Sequence, residues 1–200
     1  MPRKVDHHAR RTAIAEAVWR LTARGGIETV TLRNVAAEAG MSLGQVQHYF
    51  PTKDALLAHA YHAVTERAAT RTSLRHDPTP DEDPDPRTVI REALVELLPL
   101  DPDRTLEAHV GLAYLARAAV SPDLAAHLHK THADLEDLIV DQLRHGQRLG
   151  TVPVDLDPAR EARTLLAVLD GLAAHVLIGH HTPADAEHAL DTHLDQLFTD

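Results

Sequence analysis

The stretch of sequence that decides the fold is residues 29–54, TVTLRNVAAEAGMSLGQVQHYFPTKD. Thr31 is a good N-cap for a helix that ends at Gly40, because glycine readily adopts the left-handed conformation that stops a helix. A second helix is expected to begin almost at once, since Ser42 and Gln45 have the Ser-x-x-Gln spacing of a capping box. The stretch therefore predicts two short helices joined by a glycine turn, which is the layout of a helix-turn-helix.

Helical periodicity extends on both sides of this stretch. A first helix is expected from about residue 6 to 24, and a long one from about 53 to 75. An acidic, proline-rich loop is expected at 76–86. Further helical patterns occur at 87–98, 103–119, 122–149, 158–179 and 183–198. We therefore predict an all-α fold of about nine helices, with a three-helix helix-turn-helix domain over residues 1–52 and a helical effector-binding and dimerisation domain over residues 53–200.

The composition agrees with packed helices. Hydrophobic residues make up 44% of the 200 residues and aromatic residues only 3%, so Ala, Leu and Val must form the core, which favours helices over a β-sandwich. The absence of cysteine excludes disulfides and thiolate metal sites. We find no signal peptide and no apolar run long enough to cross a membrane, and we expect a soluble cytoplasmic protein that associates with the nucleoid.

The charge is unevenly distributed along the chain. The net charge is −10, but residues 1–53 contain eight Lys or Arg against four Asp or Glu. The remaining residues contain 12 basic side chains against 26 acidic ones. A basic N-terminal part on an acidic body can be steered onto DNA by its basic end. Chance clustering of the basic residues is the alternative explanation.

The last two expected helices suggest an interface with a second copy. The helix at 158–179 is apolar around most of its circumference, so it must be buried on more than one side. The helix at 183–198 adds an apolar stripe, and two such helices from each of two chains would form a four-helix interface. The expected interface residues are Leu165, Leu169, Leu172, Val176, Leu190, Leu194 and Leu197. The alternative is that both helices belong to the core of a monomer.

Several motifs resemble a known family. The run from Thr29 to Leu57 contains Thr31, Ala36-Ala37, Gly40, Ser42, Gly44, His48-Tyr49-Phe50 and Lys53-Asp54-Ala55-Leu56-Leu57. It resembles the DNA-binding domain of TetR-family transcriptional regulators over about residues 8–60. The segments Leu97-Leu98-Pro99-Leu100, Gly146-x3-Gly150 and Leu169-Asp170-Gly171-Leu172 resemble, less specifically, the ligand-binding half of the BetI-like branch. The resemblance implies a homodimeric repressor, not an enzyme, that a small molecule releases from a palindromic DNA operator.

The chemistry of the second and third helices suggests how DNA would be contacted. Hydroxyls at helix starts, a tyrosine and basic side chains suit phosphates; these residues are Thr31, Arg33, Ser42, Tyr49 and Lys53. Amide and imidazole side chains suit base edges; these are Gln45, Gln47 and His48. No charged residue lies between Ala39 and Thr52, so base reading cannot use an arginine on guanine. Many relatives have an aromatic residue where this chain has Gln47, which makes their base preference a poor guide here.

The resemblance also places a ligand pocket among the helices near 53–75, 87–119 and 122–149. Polar side chains on helices that could face a cavity are candidates to orient the ligand. They are His62, His109, Tyr114, His132 and His175. An ordinary hydrogen-bonded core or surface residue is the alternative for each of them, and the sequence does not identify the effector.

The 16 histidines raise the question of a metal. They cluster at His127/His129/His132, at His180-His181 and at His7-His8. Only His129 and His132 have a helical ligand spacing, and no carboxylate joins them as in a His-Glu-x-x-His motif. We interpret these histidines as solvent-exposed and expect no metal site and no cofactor, with metal binding as the alternative.

Two other functions are consistent with parts of the sequence. The chain would be an architectural DNA-binding dimer if the body only dimerised and took no effector. An enzyme with a fused helix-turn-helix is a third hypothesis. Against the enzyme, the sequence contains no Gly-rich phosphate loop, no nucleophile elbow and no paired-carboxylate motif.

Overall fold

The computed structural model describes residues 7–75 and 84–199, and within these ranges all regular structure is helical. Nine α-helices lie in this part of the chain: α1 (His7–Gly25), α2 (Leu32–Glu38), α3 (Leu43–Tyr49), α4 (Lys53–Arg75), α5 (Pro86–Val95), α6 (Pro102–Ala118), α7 (Pro122–Leu149), α8 (Pro158–Leu177) and α9 (Pro183–Leu197). A short 3-10 helix, Ile27–Thr29, was not expected. The all-α prediction is confirmed, and most of the expected loop at 76–86 lies outside the described residues. None of these helices is long and apolar enough to cross a membrane.

The helices divide into two compact units. Unit 1 comprises residues 1–66 and 109–125, and unit 2 comprises residues 67–108 and 126–200. The division therefore falls inside α4, whereas the sequence suggested a boundary at residue 52. The reason is that α4 is one continuous 23-residue helix, so its first turns pack with α1 while its last turns belong to the other core.

Capping side chains define the helix-turn-helix as the sequence predicted. The Thr31 hydroxyl accepts the Asn34 N–H (3.1 Å) at the start of α2. Ser42 and Gln45 form the reciprocal capping box of α3. Between these helices Gly40 has φ of 65°, a conformation that residues with a Cβ adopt only at a cost. The Met41 N–H donates to the Ala36 carbonyl (2.8 Å), which closes the turn between α2 and α3.

Aliphatic side chains and one tryptophan form the core of unit 1. Ile14, Val18, Val35, Val46 and Leu57 are all fully buried. The indole N–H of Trp19 donates to the Ala60 carbonyl (3.0 Å), which satisfies the polar end of a side chain that is only 4% exposed. Helix α1 thus packs against α4, and Trp19 is a natural fluorescence reporter of this unit.

The core of unit 2 changes the interpretation of the predicted dimer residues. Five of the seven predicted interface residues are buried inside this unit itself: Leu165, Leu169, Leu190, Leu194 and Leu197. Their fractional exposure is between 0 and 6%, so we assign them to the core of unit 2. Leu172 and Val176 are half-buried. The apolar circumference of α8 is explained largely by packing against α5, α7 and α9 residues of the same chain.

A buried cluster of charged side chains connects α4 to α6 and to the end of α5 in unit 2. Arg71 donates to Glu96 (2.5 Å) and to both oxygens of Glu107 (3.0 and 2.8 Å). The Glu96 side chain is completely buried and the Glu107 side chain is 4% exposed. These contacts, Glu107 first, raise the pKa of Arg71 above its ordinary value. A buried carboxylate pair is tolerated here because one guanidinium serves both.

Candidate nucleic-acid interface

The outer face of α3 presents polar side chains to solvent. Val46 is buried, whereas Gln47 and His48, the two residues that follow it, are exposed. Successive residues of an α-helix point in different directions around its axis. When Val46 packs into the core, the residues that follow it therefore face solvent. Ser42, the N-cap of α3, is also exposed. The structure therefore brings these predicted contact residues together on one exposed helix.

The capping box distinguishes the two glutamines. Oε1 of Gln45 accepts the Ser42 N–H (2.9 Å), while the Gln45 N–H donates to the Ser42 hydroxyl (3.2 Å). A bidentate pair with adenine needs both the amide oxygen and the amide nitrogen, so Gln45 cannot make one while it caps α3. Gln47 makes no hydrogen bond to the described residues, and both ends of its amide are available.

The hydroxyl groups of Thr31 and Ser42, which cap α2 and α3, can each still donate one hydrogen bond. Thr31 and Ser42 each accept one backbone N–H, and a hydroxyl that accepts can still donate its own proton. Both side chains are exposed at helix starts, where free N–H groups also attract anions. Arg33 is exposed on the neighbouring α2. All three residues therefore offer exposed hydrogen-bond donors, as a contact with phosphate requires.

Helix α1 contributes residues that the sequence analysis missed. A groove of roughly 470 Å³ lies between His7 and Arg10 of α1 and Ser42, Gly44, Gln45, His48 and Tyr49 of α3. The Tyr49 hydroxyl is hydrogen-bonded to His7 Nδ1 (2.8 Å). The signal was present as the basic pair Arg10-Arg11 near the start of α1. The sequence does not distinguish the two arginines, because only the fold shows that Arg10 lies beside α3.

Those two arginines have different surroundings. The Arg11 guanidinium stacks on the Phe50 ring at 4.9 Å from its centroid. The backbone carbonyl of Arg11 accepts a hydrogen bond from His59 Nε2 (2.9 Å). The imidazole ring of His59 also stacks on Phe50. Burial, followed by repulsion from Arg11, lowers the pKa of His59, although the hydrogen bond opposes the shift. Arg11 is thus used inside unit 1, and Arg10 is the one that lines the groove.

Lys53 begins α4 and has a partner within the chain. Its ammonium donates to the Ile27 carbonyl of the 3-10 helix, which leaves two of its three N–H donors for other acceptors. The next residue, Asp54, is bound by Arg117 through two N–H···O bonds of 3.0 Å each. Because Arg117 neutralises this carboxylate, the positive charge of Lys53 is not cancelled by its neighbour.

Ion pairs also change the charge estimate for the N-terminal part. Arg20 donates to Glu38 (2.7 Å), and Arg24 contacts the other oxygen of the same carboxylate. These bonds, Arg20 first, lower the pKa of Glu38. Two of the eight basic residues counted in the sequence therefore connect α1 to α2. Arg10, Arg33 and Lys53 remain as described cations near the candidate interface.

The predicted ligand-pocket residues do not share one environment. Tyr114 is fully buried in unit 1, where its ring stacks on Tyr61 (4.4 Å between centroids) and its hydroxyl donates to the Leu124 carbonyl (3.3 Å). His62 is exposed in the same unit and lies 3.4 Å from Glu66, and His109 is half-buried. In unit 2, His132 is half-buried and His175 is exposed beside two other histidines.

Comparison with known proteins agrees with this geometry. Residues 14–60 match the bacterial regulatory proteins of the tetR family. Residues 86–199 match the C-terminal part of BetI-type transcriptional repressors. The first match covers α2 and α3 and ends within α4, so it includes the candidate interface residues from Thr31 to Lys53 but not His7 and Arg10.

Relatives are similar over most of their length. The HTH-type transcriptional regulator PksA of Bacillus subtilis is 32% identical over 178 residues, which cover 89% of this chain and 83% of that protein. A transcriptional regulator from Rhodococcus sp. has a TM-score of 0.78 at 33% identity, covering 94% of this chain and 95% of that one. A regulator from Saccharomonospora viridis, solved in complex with choline, has a TM-score of 0.82 at 25% identity, covering 97% and 100%. The chain therefore belongs to the TetR family of DNA-binding transcriptional regulators, with a C-terminal part of the BetI repressor type.

Proposed function

We propose that this regulator is a homodimeric repressor that binds a palindromic operator through α3 and leaves it when a small molecule binds. The observation that carries the DNA-binding part is the exposed, hydrogen-bond-free Gln47 on a helix whose register is set by its own capping box. A rigid helix with an available amide is suited to reading a base edge in the major groove. The names of the relatives support the same reading.

The proposed DNA contacts are of two kinds: contacts with phosphates, which position the protein, and contacts with base edges, which select the sequence. Thr31, Arg33, Ser42, Tyr49 and Lys53, joined by Arg10, would contact phosphates, because they offer N–H or O–H donors at the rim of α3. Gln47 would read a base pair with both ends of its amide. Gln45 retains only its NH₂ donors, so it would reach a single acceptor, and His48 would contact the adjoining base or sugar. Specificity would therefore come from few direct contacts together with DNA shape.

A palindromic operator requires two recognition helices. Their centres must lie about 34 Å apart to enter successive major grooves, which one chain cannot supply. The outward stripe of α8 is suited to a partner: Ala167, Gly171, Ala174 and Ile178 recur at spacings of four, three and four. Ile178 is 72% exposed. The half-buried Leu172 and Val176 border this stripe. We therefore assign the interface to the outward stripe and these two residues, in place of the five buried leucines.

Gly171 allows a sharp test of the dimer. A Cβ placed there meets no atom within 4 Å of the same chain, so Gly171→Glu should leave the fold intact. If α8 packs closely on a partner, the new carboxylate should convert the dimer to a monomer in sedimentation experiments and abolish operator binding. Gly111→Glu on α6 is the matched control, since a Cβ there also meets nothing within 4 Å. A dimer that survives Gly171→Glu would place the interface elsewhere.

The effector would be a small organic molecule bound by the C-terminal part. Of the five pocket candidates, Tyr114 is committed to the core of unit 1, and the half-buried His132 of unit 2 is the ligand contact that we retain. Choline is the first compound to test, since the Saccharomonospora viridis relative was solved with it. Two states of different DNA affinity, coupled to ligand occupancy, are sufficient for release.

The decisive experiment measures DNA binding by the full chain. Selection from a random duplex library, followed by fluorescence anisotropy on the selected sequence and on scrambled DNA, should yield a palindrome. Affinity for it should exceed that for scrambled DNA by about 10³-fold or more. Equal affinity for both would contradict a sequence-specific repressor. A selected palindrome whose binding no screened metabolite alters would favour an architectural dimer.

A further inference from the structure

We propose that His175, His180 and His181 form a binding site for a divalent transition-metal ion of the zinc, nickel or copper class. One ring nitrogen from each of the three lies within 4.8 Å of the other two. The ring centroids are 4.8 to 5.1 Å apart. Among the residues that the structure describes, this is the only group of three or more histidines or carboxylates close enough to share an ion.

The backbone brings these histidines together in a way that helix periodicity does not. Gly179 has φ of 72°, which reverses the chain immediately after α8. The N–H groups of His180 (2.9 Å) and His181 (3.2 Å) both donate to the His175 carbonyl. This is the hydrogen-bond pattern of a glycine-terminated helix. Residues five and six positions apart would diverge on a continuous helix, so the turn creates the cluster.

Within one chain the side chains are free to become ligands, and His175, one helical turn after Gly171, borders the α8 stripe that we assign to the partner. None of the three imidazoles hydrogen-bonds to another described side chain, and His175 and His180 are exposed. At Zn–N distances of 2.0–2.1 Å a tetrahedral site needs its nitrogens about 3.4 Å apart. The present separations of at most 4.8 Å must shorten by no more than about 1.4 Å, a distance on the scale of a side-chain rotation.

The chemistry of the donors defines the ion. Neutral imidazole suits Zn²⁺, Ni²⁺ and Cu²⁺ and is a poor ligand for Mg²⁺ or Ca²⁺, which prefer oxygen. The site also lies at the carboxyl end of α8, where the helix dipole favours a cation. Asp185, in the first turn of α9, interacts electrostatically with His181. Three protein ligands would leave the fourth position of a tetrahedral ion open to water or to a ligand from another molecule.

The test uses the untagged full chain titrated with Zn²⁺ by calorimetry, and with Co²⁺ as a spectroscopic probe. We expect one tight equivalent per chain and visible Co²⁺ absorption of a low-coordinate nitrogen site. His175→Ala and His180→Ala should each weaken that equivalent by at least about tenfold. All three histidines lie on the surface or at its edge, so both variants should fold with native Trp19 fluorescence.

The many other histidines require matched controls. His188→Ala on α9 and His129→Ala on α7 remove exposed imidazoles outside the cluster, and the tight equivalent should persist in both. Loss of Zn²⁺ binding in these controls equal to the loss in His175→Ala would overturn the proposal. So would a titration in which wild type and His180→Ala bind the same number of ions with the same affinity.

Discussion

The side chain of Gln45 is hydrogen-bonded back to Ser42 and does not stand free in front of α3. The side-chain Oε1 of Gln45 accepts the Ser42 backbone N–H at 2.9 Å. The backbone N–H of Gln45 donates to the Ser42 hydroxyl at 3.2 Å. The pair satisfies two donors at the start of the recognition helix. It also removes the amide oxygen of Gln45 from DNA recognition, which leaves Gln47 as the available glutamine.

The two roles of Gln45 can be separated. Gln45→Glu keeps an acceptor for the Ser42 N–H and places a negative charge at a favourable helix start, so unfolding by urea should be unchanged. The same charge would face DNA phosphates and should weaken operator binding by about tenfold or more. Gln45→Ala should instead lower the free energy of unfolding by about 1 kcal/mol. Native DNA affinity in Gln45→Glu would show that this amide does not face DNA.

Gln47→Ala should change which sequence is preferred. Loss of a bidentate contact costs about 1–3 kcal/mol at the base pair that it reads, while phosphate contacts and binding to scrambled DNA remain. Anisotropy titrations on a set of single-base operator variants measure this. Gln196→Ala, an exposed glutamine on α9, is the control and should bind as wild type. A uniform loss on every sequence would rule out base reading by Gln47.

Lys53→Ala should weaken binding to operator and scrambled DNA to the same degree. One phosphate contact fewer should reduce the slope of log affinity against log salt concentration by about one unit. The variant also loses the hydrogen bond to the Ile27 carbonyl, so its thermal unfolding must be measured alongside. Lys130→Ala, an exposed lysine on α7, should leave the slope unchanged. An unchanged slope in Lys53→Ala as well would remove Lys53 from the phosphate contacts.

Arg71→Met should strongly destabilise unit 2. It would leave the buried carboxylates of Glu96 and Glu107 without their shared partner, and breaking a buried ion pair costs about 3–5 kcal/mol. Arg67 (3.7 Å from Glu107) and Arg104 (3.6 Å from Glu96) remain nearby, so we expect about 3 kcal/mol. Urea unfolding followed by circular dichroism measures it. The exposed pair Arg144–Asp141 supplies the control, as Arg144→Met should cost less than about 0.5 kcal/mol.

Unit 1 should lose stability in mild acid because of His59. Burial holds its pKa below the ordinary value, so the unfolded chain binds the proton more tightly than the folded one. The stability that the neutral ring contributes is present above the unfolded value of about 6.5 and is lost as the pH falls through it, until the folded form is also protonated. Urea unfolding followed by Trp19 fluorescence between about pH 7.5 and 5 should show this decline.

The variant His59→Phe provides the comparison for that pH dependence. It retains an aromatic ring to stack on Phe50 but cannot take up a proton. Its overall stability should be lower, because the Arg11 carbonyl loses a hydrogen bond, and its decline with pH should be shallower. His8→Phe, on the exposed start of α1, should keep the wild-type slope. Parallel slopes for wild type and His59→Phe would assign the acid sensitivity to other groups.

Much of the fold could be predicted because the signals for it are local. Thr31, Gly40, Ser42 and Gln45 act within four residues of themselves, and the structure has the predicted caps and helix stop. Prolines at the starts of α6 to α9 are an equally local signal, because the fixed φ of proline suits the first turn of a helix. Periodicity did not indicate which side of α8 is buried, because a helix that is apolar all round has no pattern to distinguish its own core from a partner.

The sequence alone determined that this chain is helical, carries a helix-turn-helix and belongs with TetR-like regulators. The tertiary structure decided which of its side chains are available. Gln45 and Lys53 have internal partners, Arg20 and Arg24 share Glu38, five leucines of α8 and α9 fill a core, and a turn at Gly179 gathers three histidines. The physical reason is that caps and periodicity depend on near neighbours in the chain. Pairing and burial depend on residues that only folding brings into contact.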